Sequence, residues 1–362
     1  MLQRWILLFV LLVGTLLVVE VVAADSSPPR QPIIGAWLRS GSRDPLRQLI
    51  LIVATRFRSY NEISAFSYTV HPDGSLIASD PVNDRVLIDF ARANNIRVVP
   101  TVFSTWDSTH IVTILRNPAL RARHIEAIMQ IVRSPLIDGI DIDYENLPPT
   151  ARQAFTDFIT QLAFHVHNEG KTLSVTVPAK VRENDAPALN GYADFIALGQ
   201  VADHIRVMAY EYNPRNGPPA PNAPIWWVRQ VVSYTTSVVP NQKVVLGIHL
   251  YGYDWGGKET TALWWSDVQN LKERYGGIER YIESDERGPV GEIELTYTRY
   301  HSPLCPPAFF DCAPFVREQH TVYYVDARYV AEAWKIVKEF RLGGLVMWRP
   351  GGEDPAIWDV LK

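Results

Sequence analysis

The chain has 362 residues, of which 47% are hydrophobic and 20% are charged, and its formal net charge at pH 7 is −4. This composition is ordinary for a globular protein and allows a core as large as that of a TIM barrel. The sequence contains no basic stripe and no long block of like charges, which argues against a nucleic-acid partner.

The first 24 residues are typical of an export signal. Arg4 precedes an apolar stretch from Trp5 to Val19, and small residues then lead into a polar segment that begins at Asp25. The apolar stretch is long for a signal and is followed at once by Glu20, so an uncleaved single-span anchor remains an alternative. In either case we expect the folded part to be secreted or held at the cell surface, with a membrane as partner only if the segment is uncleaved.

Apolar strand-like runs alternate with helical patterns along residues 25–362, as in parallel βα units. Helical spacing of apolar residues is seen in Pro118 to Arg133, Ala151 to Asn168 and Ala327 to Phe340. The predicted strands are Ile33 to Trp37, Glu62 to Tyr68, Arg97 to Phe103, Gly139 to Tyr144, Thr172 to Val177, His204 to Met208, Val244 to His249 and Gly344 to Trp348. Eight such units predict an α/β fold, a closed (β/α)8 TIM barrel, with its active site at the carboxyl ends of the strands.

The fourth predicted strand carries an unusual row of acids. Because alternate side chains of a strand share a face, we expect Asp141, Asp143 and Glu145 to point together. Neighbouring carboxylates raise one another's pKa, so such a cluster supplies a general acid near the carboxyl end of the strand. A solvated acidic edge strand and a calcium loop are the alternatives, although a calcium loop would need Gly where Asn146 stands.

The segment from about 251 to 321 is too long for a simple connection between the seventh and eighth strands. We interpret it as a small α+β insertion, rich in Tyr and Trp, that forms one wall of a cleft. It contains both cysteines, Cys305 and Cys312, and export favours a disulfide between them, with two free thiols as the alternative.

The acidic run resembles the Asp-x-x-Asp-x-Asp-x-Glu signature of glycoside hydrolase family 18, the chitinase family. The match is complete at Asp138, Asp141, Asp143 and Glu145. Further motifs of the family follow in order at 174–180, 208–211, 246–255 and 343–348. The pattern is most similar to the spore-germination and cortex-lysing branch.

The resemblance implies a retaining hydrolase that cleaves β-1,4 bonds next to N-acetylglucosamine in chitin or peptidoglycan, with the substrate's own acetamido group as nucleophile. It assigns proton transfer to Glu145 and orientation of the acetamide N–H to Asp143. Asp141 would share a proton or hydrogen bond with Asp143, and Tyr210 would bind the acetamide carbonyl. Asp138 and Gly139 would be structural.

The same resemblance places Trp348 under the sugar at the cleavage site. Met208, Glu211, Trp227 and Tyr68 are the other expected substrate contacts, with Glu211 replacing an Asp of many relatives. Four more tryptophans are candidates for further subsites or for the core: Trp226, Trp255, Trp264 and Trp265.

No metal and no organic cofactor is expected, and the chain is expected to be a monomer whose partner is an N-acetylglucosamine-containing polysaccharide. Two other functions remain open. The first is a non-catalytic carbohydrate-binding protein on the same barrel. The second is a wall-anchored germination-type factor that uses the barrel as a docking surface.

Overall fold

The computed structural model describes residues 31–39, 60–104, 107–301 and 316–361. The predicted export segment 1–24 and both cysteines, Cys305 and Cys312, lie outside these residues. Across the described ranges, no helix combines the length and apolar character needed to cross a membrane.

The described strands fall into two sheets. The first contains β1 (Ile33–Leu38), β2 (Glu62–Val70), β3 (Leu76–Ala78), β4 (Arg97–Val98), β5 (Thr101–Phe103), β6 (Gly139–Asp143), β7 (Thr172–Pro178), β8 (His204–Met208), β9 (Val244–His249) and β15 (Gly344–Trp348). The second contains β10 (Tyr251–Trp255), β11 (Thr261–Trp264), β12 (Ile278–Asp285), β13 (Gly288–His301) and β14 (Val316–Tyr324).

The α-helices span Pro81–Ala93, Thr109–Arg116, Pro118–Val132, Arg152–Asn168, Pro187–Asn190, Phe195–Val201, Ile225–Val238, Trp265–Tyr275, Ala327–Glu339 and Ile357–Val360. Short 3-10 turns cover Pro149–Ala151 and Asn241–Lys243. The three helices predicted from apolar spacing are therefore present, and their ends shift by one residue at most.

The first sheet closes into a barrel. Its strands run in the order β1-β15-β9-β8-β7-β6-β5-β2, and β2 pairs with β1 in parallel to complete the circle. The predicted (β/α)8 TIM barrel is confirmed. The third barrel strand, predicted as continuous from Arg97 to Phe103, is divided into β4 and β5 at Val99 and Pro100, because proline has no N–H for the ladder.

Alternation along the barrel strands separates two cores. Ile140, Ile142 and Tyr144 pack outward against the helices, while a smaller interior cluster contains Trp37 and Val346. β6 lies between β5 and β7, and all its residues are buried. A solvated edge strand is thereby excluded for the acidic run.

The second sheet is the predicted insertion after the seventh barrel strand. Its antiparallel strands run in the order β11-β10-β14-β13-β12, and its last strand continues past the expected end at Thr321 to Tyr324. Helix Trp265–Tyr275 covers one face, where Val268 packs with Leu295 and Val322. Tyr251 and Tyr253 lie on the opposite face, which is turned toward the loop after β8.

Candidate active site

The fourth barrel strand is fixed at its start by close packing. A Cβ on Gly139 would lie 2.3 Å from the Thr172 hydroxyl oxygen, so no side chain fits there. The carboxylate of Asp138 accepts the Val98 N–H at 2.8 Å and pairs with Arg92 at 3.1 Å. These contacts hold the first residues of the strand in place.

Asp141 lies inside the barrel and is completely buried. Its carboxylate accepts hydrogen bonds from the Trp37 indole N–H at 3.2 Å and from the Thr101 and Thr176 hydroxyls at 3.1 Å. The donors come from the first, third and fifth barrel strands. Asp141 is therefore held by the barrel wall around it.

A buried arginine stands beside Asp141. The Arg206 guanidinium lies 3.4 Å from the Asp141 carboxylate, donates to Glu62 at 2.6 Å and donates to the Ser64 hydroxyl at 2.7 Å. Arg97 pairs with the other oxygen of Glu62 at 2.9 Å. We call Arg206, Glu62 and Asp141 the charged floor of the barrel.

This charged floor was not predicted from the sequence. The sequence contains one indication of it, because Glu62 and Arg206 are charged residues in strands that are otherwise mostly apolar. Opposite charges in buried strands require one another or another partner.

Asp143 lies one pleat above Asp141, and only 3% of its surface is exposed. Burial raises the pKa of the Asp143 carboxyl well above its usual value, and the charges of Glu145 and Asp141 raise it further while Arg206 opposes them. Its Oδ1 atom is buried and has no hydrogen-bond partner within the described ranges. The site thus contains an unpartnered carboxyl oxygen below its mouth.

The expected hydrogen bond between Asp141 and Asp143 is absent from the contacts of these two residues. Asp141 instead uses both carboxylate oxygens for Trp37, Thr101 and Thr176, as described above. The two acids interact through their charges.

Glu145 stands at the open mouth of the barrel. β6 ends at Asp143, so Glu145 lies two residues beyond the strand, which was expected to include Tyr144. Its N–H donates to the Ser104 hydroxyl at 2.9 Å, which ties it to the third barrel strand. Solvent reaches Glu145, but surrounding protein atoms and the charge of Glu211 raise the pKa of its carboxyl.

The carboxylate of Glu211 is fixed by the insertion. Its Oε1 accepts hydrogen bonds from the Tyr251 hydroxyl, from the Tyr253 hydroxyl at 2.6 Å and from the Asn222 amide at 3.3 Å. Its backbone is left-handed at φ 64° and donates its N–H to the Asn222 side chain at 2.9 Å. Support of this kind is needed because the left-handed region is unfavourable for residues other than glycine.

Asn222 is in turn held from the second sheet. Glu292 on β13 is fully buried and accepts the backbone N–H groups of Asn222 and Ala223 at 2.9 and 2.7 Å. Burial raises the pKa of Glu292 to about 8. Thus the insertion positions Glu211 both directly and through the loop after β8.

Aromatic side chains line the barrel interior below the mouth. Trp348 is partly exposed, and its ring centre lies 5.0 Å from that of Phe66, in a cluster that also includes Met208 and Tyr210. Burial and the charges of Glu145, Asp143 and Glu211 raise the pKa of Tyr210, which keeps its hydroxyl protonated as a donor.

A buried histidine supports Tyr210 from behind. His249 is completely buried, neither ring nitrogen has a hydrogen-bond partner in the described part of the chain, and burial lowers its pKa to about 3. Its ring packs against Tyr210, Tyr251 and Tyr329 at centre distances of 6.4, 5.4 and 5.2 Å. We interpret His249 as a neutral packing residue.

Two expected substrate contacts do not join this group. Tyr68 lines an open groove of about 460 Å³ on the outside of the barrel, with Leu76 and Ile131. Phe66 takes the interior position near Trp348 instead. Trp227 is half-buried in the outer core and packs on Tyr212 at 5.2 Å.

The other four tryptophans differ in their surroundings. Trp265 belongs to the core under the insertion helix, and Trp255 donates its indole N–H to the Gly217 carbonyl at 3.0 Å. Trp226 donates to Asp285 at 3.3 Å. Trp264 is partly exposed and contacts Arg349 beside Trp348. Of these four, Trp264 is the best placed for substrate contact.

The chemistry available here is proton transfer beside a buried carboxyl group. Glu145 has a raised pKa at the mouth, Asp143 presents a free oxygen below it, and Tyr210 presents a protonated hydroxyl. Over the residues that the structure describes, no three His, Cys, Asp or Glu side chains converge as metal ligands do.

Known proteins resemble this chain over most of its length. It is 29% identical over 313 residues to the "Putative sporulation-specific glycosylase YdhD" of Bacillus subtilis (strain 168), covering 83% of this chain and 69% of that protein. It is 25% identical over 301 residues to the cortical fragment-lytic enzyme of the same organism, covering 83% of this chain and 67% of the relative. These relatives confirm the resemblance to the spore-cortex branch.

Among solved structures, a chitinase from Chromobacterium violaceum superposes with a TM-score of 0.77 at 25% identity, covering 91% of this chain and 98% of that one. The family model of glycosyl hydrolases family 18 matches residues 48–353. The signature acids, the barrel and this match agree, and the chain belongs to glycosyl hydrolases family 18.

Proposed function

We propose that this protein is an exported retaining hydrolase that cleaves β-1,4 bonds next to N-acetylglucosamine in a cell-wall polymer, chitin or peptidoglycan. One observation carries the proposal. A glutamic acid with a raised pKa, Glu145, stands at the barrel mouth above Asp143, whose Oδ1 has no partner among the residues that the structure describes. A proton donor and an acceptor for a substrate N–H are thus placed together.

In the proposed reaction, Glu145 gives its proton to the glycosidic oxygen as the bond to the anomeric carbon breaks. The carbonyl oxygen of the substrate's acetamido group attacks that carbon, giving an oxazolinium-like intermediate. The Glu145 carboxylate then takes a proton from water, and the hydroxide oxygen bonds to the anomeric carbon as the oxazolinium ring opens. The anomeric configuration is retained because this carbon is displaced twice.

Asp143 and Tyr210 would position the acetamido group. The free Oδ1 of Asp143 accepts its N–H, which stabilises the positive charge that develops on the group. The hydroxyl of Tyr210 donates to its carbonyl oxygen. Glu211 is already engaged by the Tyr251 and Tyr253 hydroxyls, which argues against its use as an enzyme nucleophile.

The substrate class is drawn from the relatives together with the aromatic interior. One relative is a cortical fragment-lytic enzyme, and a structural neighbour is a chitinase. The partly exposed Trp348 offers an apolar ring face of the kind on which the C–H faces of sugars pack.

Export is proposed from the sequence of residues 1–24. Sequencing the N-terminus of the protein produced in its host tests it. A terminus near Asp25 supports a cleaved signal, whereas a retained Met1 on membrane-bound protein supports the anchor.

Mass spectrometry of products from an N-acetylglucosamine hexamer and from peptidoglycan fragments tests the activity. We expect cleavage by the parent chain and at least about a 100-fold lower rate for Glu145→Gln, because general acid catalysis commonly contributes that much. Glu273→Gln, an exposed acid on the insertion helix, is the matched control and should cleave normally.

Two outcomes would contradict parts of the proposal. Hydrolysis that survives in Glu145→Gln would contradict the acid assignment. Calorimetric binding of the oligomers without cleavage by the parent chain would favour the carbohydrate-binding protein.

A further inference from the structure

Arg349 has an unusual position for a cation. It follows Trp348 directly at the carboxyl end of β15, and it is only partly exposed. Its guanidinium lies over the Trp264 ring, 4.6 Å from the ring centre, while the Trp264 indole N–H donates to the Arg349 carbonyl at 3.4 Å. In the described chain, no carboxylate lies within salt-bridge distance of Arg349.

The nearest acid in the sequence is engaged elsewhere. Glu353 uses its Oε2 to accept the backbone N–H groups of Gly351 and Gly352 at 2.5 and 3.0 Å. Burial and the neighbouring charge of Arg39 lower the pKa of Arg349 to about 10, so it remains charged at neutral pH. A half-buried charge without a counter-ion is costly, and a bound anion would relieve that cost.

The second sheet places Arg349 on the cleft side. Trp264 is directly opposite Tyr251 in the β10–β11 ladder, and opposite residues of an antiparallel pair project from the same face. That face carries Tyr251 and Tyr253, which hold Glu211. Arg349, stacked on Trp264, therefore lies between this face of the second sheet and Trp348, the proposed contact for the sugar.

A second guanidinium lies nearby. β1 and β15 are parallel neighbours in which Ala36 is opposite Met347, so the residues after both strands emerge together at the barrel mouth. Arg39 is exposed at the end of β1, and it too lacks a carboxylate partner among the described residues. Arg39 and Arg349, which have no carboxylate partner in the described ranges, thus lie at the same side of the barrel mouth.

We propose that Arg349 and Arg39 form a subsite for a carboxylate carried by the polysaccharide, which selects peptidoglycan over uncharged chitin. Guanidinium groups bind carboxylates through paired N–H donors. Peptidoglycan carries such carboxylates on its lactyl-peptide substituents, and chitin carries none. This inference rests on the proposed function and narrows its substrate class.

The test compares one peptidoglycan fragment in two forms, with free carboxylates and with the same carboxylates amidated. We expect the full parent chain to have at least about a tenfold higher kcat/KM for the free-acid form. The double variant Arg39→Gln/Arg349→Gln should reduce that ratio to near one, and Arg349→Lys should keep part of it. High salt should reduce the preference of the parent chain.

Arg274→Gln is the matched control, because Arg274 also lies over an aromatic ring, that of Tyr275, and has no salt bridge to another described residue. The preference should be unchanged in this variant. If the double variant is unfolded by circular dichroism, Arg39→Gln alone, at an exposed position, should still lower the ratio.

A ratio near one in the parent chain, or an equal ratio in the parent and the folded double variant, would overturn the subsite. If the parent cleaves neither form, the proposed function fails. The subsite is then judged by calorimetry, as tighter binding of the free-acid form that the two substitutions remove.

Discussion

The barrel interior and the second sheet both hold charged groups beside Asp143 and Glu145, but they do so in different ways. In the charged floor, Arg206, Glu62 and Asp141 are almost completely buried and reach one another across the closed barrel. At the second sheet, the carboxylate of Glu211, which lies in the loop after β8, is partly exposed and is fixed by tyrosine hydroxyls of that sheet.

The two environments predict different effects of substitution, one on the stability of the fold and the other on the activity of the site. Buried ions depend on one another, so removal of one partner leaves an uncompensated charge in the core. The contacts of Glu211 are near solvent, so their loss is tolerated by the fold and changes the electrostatics of the site. We therefore expect substitutions in the charged floor to lower the free energy of unfolding. Substitutions of Glu211 and of the tyrosines that bind it should change activity and its pH dependence.

Arg206→Met provides the largest expected effect. It leaves Glu62 and Asp141 in the core without their shared cation, and breaking a buried ion pair in this way costs about 3–5 kcal/mol. Urea unfolding of the parent and the variant measures it. Arg97→Gln, which removes the partly exposed partner of the same Glu62, should cost only about 0–1 kcal/mol. Equal losses would mean that burial does not distinguish these two pairs.

Asp143→Asn tests a residue that is buried in the barrel but is not part of the charged floor. Its Oδ1 has no partner among the described residues, so stability should not fall, whereas kcat should fall about 100-fold because an amide cannot take up negative charge opposite the developing charge of the acetamido group. Thermal unfolding and oligosaccharide kinetics measure the two effects. A large loss of stability at full activity would reverse this assignment.

Tyr251→Phe tests the contacts that fix Glu211. It removes one hydrogen bond to Glu211 and should cost about 0.5–1.5 kcal/mol of stability. Tyr324→Phe is the matched control, because Tyr324 donates to Glu279 at 2.8 Å and lies on the helix-covered face of the same sheet. Both variants should lose similar stability, but only Tyr251→Phe should lower kcat/KM. A similar loss of activity in both would indicate a general effect of the insertion.

Glu211→Gln should give the smallest change, a shift in the pH profile. The charge of Glu211 raises the pKa of Glu145, so its removal lowers that pKa. In the proposed reaction Glu145 acts in its protonated form, and the alkaline limb of kcat/KM should therefore move to lower pH while the rate at acid pH is less affected. Glu211→Asp keeps the charge and should keep the limb closer to that of the parent. A shift of the limb to higher pH in Glu211→Gln would contradict the coupling.

The sequence by itself determined the barrel and the position of its acids. Apolar runs placed strands His204–Met208, Val244–His249 and Gly344–Trp348 at their observed bounds. Alternation placed Ile140 and Ile142 outward, as observed. These properties could be predicted because they depend on residues that are close along the chain.

Tertiary structure decided which side chains meet. Strand β2 has one extra residue between Phe66 and Tyr68, which pair with consecutive residues of β5. This bulge breaks the alternation of side chains, so Tyr68 faces outward while Phe66 faces Trp348. Arg206 meets Ser64 and Glu62 across separations of 142 and 144 residues. Barrel closure and strand register create such contacts, and neither is encoded in a local pattern.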